Sequence, residues 1–146
     1  MPRASTLAPV AAGAQDHRHP LTRMEIAYRF GFDAAHRFNL DVFPEGHPNR
    51  GIHGHSFQVE VAIAGDPDPR TGFVAEFADI ERACASVREK LDHRMLNEVP
   101  GLERPSLENL CLWIWKALVP RFPGLARVTV RRDSCGQSCS YTGPSA

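Results

Sequence analysis

Nowhere in this 146-residue chain does an apolar run approach the roughly twenty residues that a helical membrane span needs, so no membrane partner is expected. Charge of one sign is missing too. Seventeen Lys and Arg stand against 17 Asp and Glu, which argues against a general nucleic-acid-binding surface. Cysteine is scarce: four residues in a chain able to build a real core do not make a disulfide framework, and the expected compartment is a reducing cytoplasm. The length suits one domain and is short for two.

Residues 1–22 are rich in Ala and Pro and show no sustained period, which predicts a disordered N-terminal extension followed by a single domain over residues 23–146. The weakly apolar patch from Leu7 to Ala14, with Arg3 before it, is broken by Pro9 and is too short for a secretory leader. His17 and His19 read as exposed tail histidines.

What the chain does have is alternation. From His53 to Ile63, His53, His55, Phe57, Val59, Val61 and Ile63 fall on one face and Ser56, Gln58 and Glu60 on the other, the pattern of a half-buried strand. The period of two turns His53 and His55 the same way, with Gly54 between them. From Met24 to Phe38 the same alternation places Ile26, Tyr28, Phe30, Phe32, Ala34 and His36 on one face and Glu25, Arg29, Asp33 and Arg37 on the other. An antiparallel hairpin of the two would bring His36 beside His53 and His55. Three imidazoles with a vacant fourth position are the ligand set of a catalytic zinc site, whereas closed structural sites usually carry four protein ligands. The intervening segment, Asn39 to Ile52, holds Pro44, Gly46, Pro48 and Gly51 and reads as a functional loop.

Past the turn cluster Gly65–Gly72, Asp79 is placed to cap a helix with Ile80, Ala83, Cys84, Val87 and Leu91 on its inner face, ending near Asp92 and His93. Ser106 is placed to cap a second, with Leu107, Leu110, Cys111, Ile114, Trp115 and Leu118 forming its buried stripe. Strands are expected over Ala126–Arg132, with Val128 and Val130 on one face, and around Cys139–Thr142. The order ββααββ predicts an α+β fold: a four-stranded antiparallel sheet with both helices on one face.

Five segments, in order and at similar spacing, resemble the 6-pyruvoyltetrahydropterin synthase and 6-carboxytetrahydropterin synthase family: Phe32–His36, His53–His55, Gly72–Phe77, Leu91–Asn97 and Pro105–Asn109. The likeness runs from about Met24 to Gly143 and looks closest to the bacterial queuosine-pathway branch. It implies a tunnelling fold in which the sheets of neighbouring subunits join, with two trimers stacked into a homohexamer; edge-to-edge joining would remove exposed sheet edges. It further implies a cytoplasmic zinc lyase converting the pterin substrate 7,8-dihydroneopterin triphosphate to 6-carboxy-5,6,7,8-tetrahydropterin. Zn2+ would sit on His36, His53 and His55, with Asp92 and His93 as a proton-relaying pair and Asp133, Ser106 and Glu108 binding substrate.

Two positions depart from the family. Asn49 stands where the bacterial branch carries its catalytic cysteine, and an amide does not titrate near neutral pH; His47 and Glu45 remain in the loop as substitute bases. Asp133 stands where glutamate anchors the pterin. Cys135 and Cys139 form a Cys-x-x-x-Cys with no second pair to complete a metal site and read as structural or incidental. Three functions stay open: 6-carboxytetrahydropterin synthesis with an alternative base, a diverged pterin side-chain aldolase or 6-pyruvoyltetrahydropterin synthase-like enzyme, and a zinc-containing pterin-binding protein without turnover.

Overall fold

The computed structural model describes residues 23–38 and 41–145; the expected N-terminal extension, with His17 and His19, lies outside the described residues. Four strands, β1 (Met24–His36), β2 (His53–Gly65), β3 (Leu125–Arg132) and β4 (Gln137–Tyr141), form one antiparallel sheet in the order β1-β2-β3-β4. Two helices, α1 (Phe77–Leu91) and α2 (Leu107–Leu118), lie between β2 and β3 in the chain. The expected ββααββ order is the observed one.

The alternation read in β1 and β2 becomes their register: Phe32 pairs with Phe57, Ala34 with His55 and His36 with His53. Paired residues of an antiparallel ladder point to the same face. On that face Phe32, Phe57, Val59, Val61, Val128 and Val130 are buried against Ile80, Cys84 and Leu91 of α1 and Leu110, Ile114 and Leu118 of α2. The opposite face carries charge: Arg127 bridges Glu60 and Glu25, at 2.8 Å each. One sheet face is therefore committed to a core, which pins the register and with it the positions of the histidines.

Some boundaries moved. α1 begins at Phe77 with Glu76 at the cap position and no side-chain capping bond. Asp79 lies in the first turn instead, paired with Arg82 and Arg121, where a carboxylate faces the positive end of the helix. Ser106 does cap α2, its Oγ accepting from Asn109 N at 3.2 Å. Trp115 is only partly buried and sits edge-on to Tyr141, with centroids 5.1 Å apart. β2 runs two residues past Ile63 through an irregularity at Ala62/Ile63, where Ala64 N donates to Gly124 O at 2.9 Å. A Cβ at Gly124 would lie 2.7 Å from Ala64 O, so that contact admits only glycine.

Candidate metal centre and catalytic site

His36, His53 and His55 converge at one end of the β1–β2 hairpin, their donor nitrogens all within 4.8 Å of one another. Backbone carbonyls hold two of the rings. His36 Nδ1 lies 2.9 Å from Pro105 O and His53 Nδ1 lies 3.0 Å from Gly51 O. A carbonyl oxygen only accepts, so both Nδ1 atoms carry the hydrogen and both Nε2 atoms present lone pairs. Those Nε2 atoms are 3.0 Å apart. Two lone pairs held together repel unless a proton or a cation sits between them. Tetrahedral zinc with bonds of about 2.0 Å sets its nitrogens roughly 3.3 Å apart, so this pair fits a metal ion.

Burial, chiefly, pushes the His36 pKa down to about 4; the bond to Pro105 O opposes the shift, and His53, His55 and Arg132 add to it. His55 is lowered as well, first by burial, then by Arg132 and His53. Neutral imidazole is the ligating form. Phe57, fully buried, floors the cluster edge-on, 5.9 Å from His36 and 5.6 Å from His55 between centroids.

The Asp92–His93 pair follows directly on α1. Asp92 Oδ1 accepts from Asp33 N at 3.0 Å and lies 3.1 Å from His93 Nδ1, while Oδ2 takes Arg88 Nη2 at 2.9 Å. The Asp33 amide, then His93 and Arg88, hold this carboxyl below its usual range. His93 N donates to Asp33 O at 2.7 Å, and its backbone is left-handed, with φ 57°. His93 shares with His55 an open cleft of about 590 Å3, lined also by Asp33, Gly54, Ser56 and Arg94. Of the three histidines, His55 is the one that lines this cleft with His93.

Other predicted residues sit further out. His47 caps a short 3-10 turn at Pro48–Arg50, its Nδ1 accepting from Asn49 N at 3.1 Å. Its ring stacks on Phe43 at 4.5 Å, and Phe43 and Phe38 continue the row of rings to His36. Asn49 O accepts from Phe38 N at 3.1 Å, tying the loop to the end of β1; Glu45 is exposed. The Ser106 hydroxyl is used in capping, and Glu108 is exposed on the first turn of α2. Asp133 is exposed and takes Arg131 Nε at 3.1 Å.

Three side chains of the site were not foreseen. Arg132 reaches the triad, with Nη1 3.4 Å from His55 Nε2, and Cys135 Sγ lies 3.9 Å from His55 Nδ1. Asn97 brackets the backbone of Arg37, accepting from its N at 3.0 Å and donating to its O at 2.9 Å, which fixes the chain just after His36. For Arg132 the signal was present: it continues the parity of Val128 and Val130. Cys84 and Cys111 are core thiols, pushed up to about 12 mainly by burial.

A family model described as 6-pyruvoyl tetrahydropterin synthase matches residues 25–144. The chain belongs to the 6-pyruvoyl tetrahydropterin synthase family. Its relatives in that family carry different activities in their names. It is 38% identical over 111 residues to a putative 6-carboxy-5,6,7,8-tetrahydropterin synthase of Archaeoglobus fulgidus, covering 75% of this chain and 89% of the relative. It is 35% identical over 128 residues to the 6-carboxy-5,6,7,8-tetrahydropterin synthase of Synechocystis, covering 83% and 95%. To a dihydroneopterin monophosphate aldolase of Pyrococcus furiosus it is 33% identical over 102 residues, covering 70% and 81%. In fold it is similar to the Caenorhabditis elegans 6-pyruvoyl tetrahydropterin synthase, with a TM-score of 0.75 at 22% identity over 85% of this chain and 98% of that one. Membership of the 6-pyruvoyl tetrahydropterin synthase family makes this a pterin-metabolising enzyme of the lyase class with a three-histidine site able to hold a metal.

Proposed function

We propose that the chain is a zinc-dependent lyase converting 7,8-dihydroneopterin triphosphate to 6-carboxy-5,6,7,8-tetrahydropterin. One observation carries the reading: two imidazoles with Nδ1 locked to carbonyls present converging lone pairs in a cluster whose third ring shares a cleft with His93. Zinc held by His36, His53 and His55 would polarise a side-chain oxygen of the pterin. The protein's own residues do the rest. His93 exchanges a proton with the substrate side chain, and Asp92 orients its ring through Nδ1 and stabilises its cationic form. Asp33 N and Arg88 in turn hold Asp92. Asp133, Ser106 and Glu108 are assigned to substrate binding, and the protein works as a homohexamer in which the edge strands β1 and β4 gain partners.

A second reading, a pterin side-chain aldolase, is favoured by Asn49. Retro-aldol cleavage needs a hydroxyl proton removed, which the Asp92–His93 pair can do, and needs no thiol. Incubating the purified protein with 7,8-dihydroneopterin triphosphate separates the readings. 6-Carboxytetrahydropterin supports the first, a 6-hydroxymethyl pterin with a two-carbon aldehyde supports the second, and bound pterin without turnover overturns both.

A further inference from the structure

We infer that Arg94 is the phosphate-binding residue of the cleft shared by His55 and His93, and that it sets a preference for a phosphorylated side chain on the substrate. The inference rests on the phosphorylated pterin proposed above and deepens it.

Arg94 follows His93, and main-chain bonds place both. His93 N donates to Asp33 O at 2.7 Å, Ala35 N donates to Arg94 O at 3.0 Å, and Met95 bridges Ala35 in parallel. Residues 93–95 therefore lie as a short stub along the end of β1, the strand end that carries His36. With its backbone already fixed, Arg94 has only its own side-chain freedom to lose when a ligand arrives.

Charge singles it out. Arg94 is the one Lys or Arg lining the cleft. The carboxylate that lines it, Asp33, accepts from Ser56 Oγ at 2.6 Å, and Asp92 beside it is taken by Arg88 and His93. Among the described residues no ion pair includes Arg94. It also edges a second cleft, of about 800 Å3, with Glu89, Lys90 and Glu98, and neither of those carboxylates lines the first.

An exposed guanidinium is already hydrated, so a ligand must offer it more than water does. A phosphate meets that requirement, setting two charged oxygens against the planar fork. A neutral hydroxyl does not. Neighbouring positions in the chain thus divide the work: His93 exchanges the proton, and Arg94 holds the phosphate end of the same side chain.

The test titrates neopterin and neopterin triphosphate, the oxidised analogues, into the full chain by calorimetry at fixed ionic strength and equal zinc content. Wild type should bind the triphosphate about tenfold or more tighter than neopterin. R94Q should lose most of that preference by weakening the triphosphate alone, and R94K should recover part of it, having charge without the fork. K90Q, altered in the second cleft only, should keep the wild-type preference, which separates a local contact from a general loss of positive charge. Should R94Q misfold by circular dichroism, R94K against wild type still reads the loss of the fork. A preference that survives in R94Q, or that falls equally in R94Q and K90Q, would overturn this inference and leave the proposed reaction to product analysis. A wild type that binds neither analogue would overturn the pterin reading and this inference with it.

Discussion

His36 and His53 face one another across the end of the β1–β2 hairpin with their Nε2 atoms 3.0 Å apart, each ring held by a backbone carbonyl on its far side. That relationship sets the protonation state of the site. His36 is 1% exposed, its lone pair points at another lone pair, and it stays neutral down to a pKa of about 4.

Metal-free protein should therefore lose stability as pH falls. The folded pKa of His36 lies below its unfolded value of about 6.5, so between those values the unfolded chain binds more protons and stability rises with pH. The full contribution is present above about pH 6.5 and is lost towards pH 4. Urea unfolding at pH 7.5 and pH 5 should differ by about 2 kcal/mol in wild type and by clearly less in His36→Gln.

His93 combines a left-handed backbone with a place on the cleft it shares with His55, where the proposed function gives it a proton-transfer role. Non-glycine residues are disfavoured in that conformation, so the position favours glycine for stability and histidine for chemistry. His93→Gly should unfold within about 1 kcal/mol of wild type while turnover falls by about a hundredfold or more. A variant that keeps wild-type turnover would remove His93 from the mechanism. Asp92→Asn should also lower turnover, because the ring loses the carboxylate that orients it through Nδ1.

In the proposed function Asn49 takes the place of a thiol that would serve as carbon base. If that vacancy limits synthase activity, Asn49→Cys should raise the rate of 6-carboxytetrahydropterin formation by about a hundred- to ten-thousandfold, the range a positioned base contributes. If His47 already serves, Asn49→Cys will change little and His47→Ala will abolish turnover. In this structure His47 is stacked on Phe43 and its Nδ1 accepts from Asn49 N, which ties up one face and one nitrogen of the ring, so the first outcome is the expected one.

How much of this could be read from the chain follows from the range of each interaction. The alternation in Met24–His36 and His53–Ile63 specified strands, faces and the meeting of three histidines, because the register of a half-buried hairpin follows its apolar pattern. The carbonyls that orient those rings were not legible. Pro105 O reaches His36 across 69 positions, and Asp33 N reaches Asp92 across 59; neither has a local signature. Asp79 was expected to cap α1 because Asp is a strong cap residue, yet the cap position falls three residues earlier, at Glu76, without a side-chain capping bond, the helix's inner face of Ile80, Cys84, Val87 and Leu91 deciding the matter through packing. Arg132 is the opposite case: its parity with Val130 was visible, but its lack of an ionic partner is a property of the folded chain.

Metal content tests the central claim most directly. Purified wild type should carry about one zinc per chain, as a three-histidine site requires, and His53→Ala, which removes one of the two facing Nε2 donors, should lose most of it while keeping its fold by circular dichroism. Zinc content in His53→Ala equal to that of wild type would contradict the account.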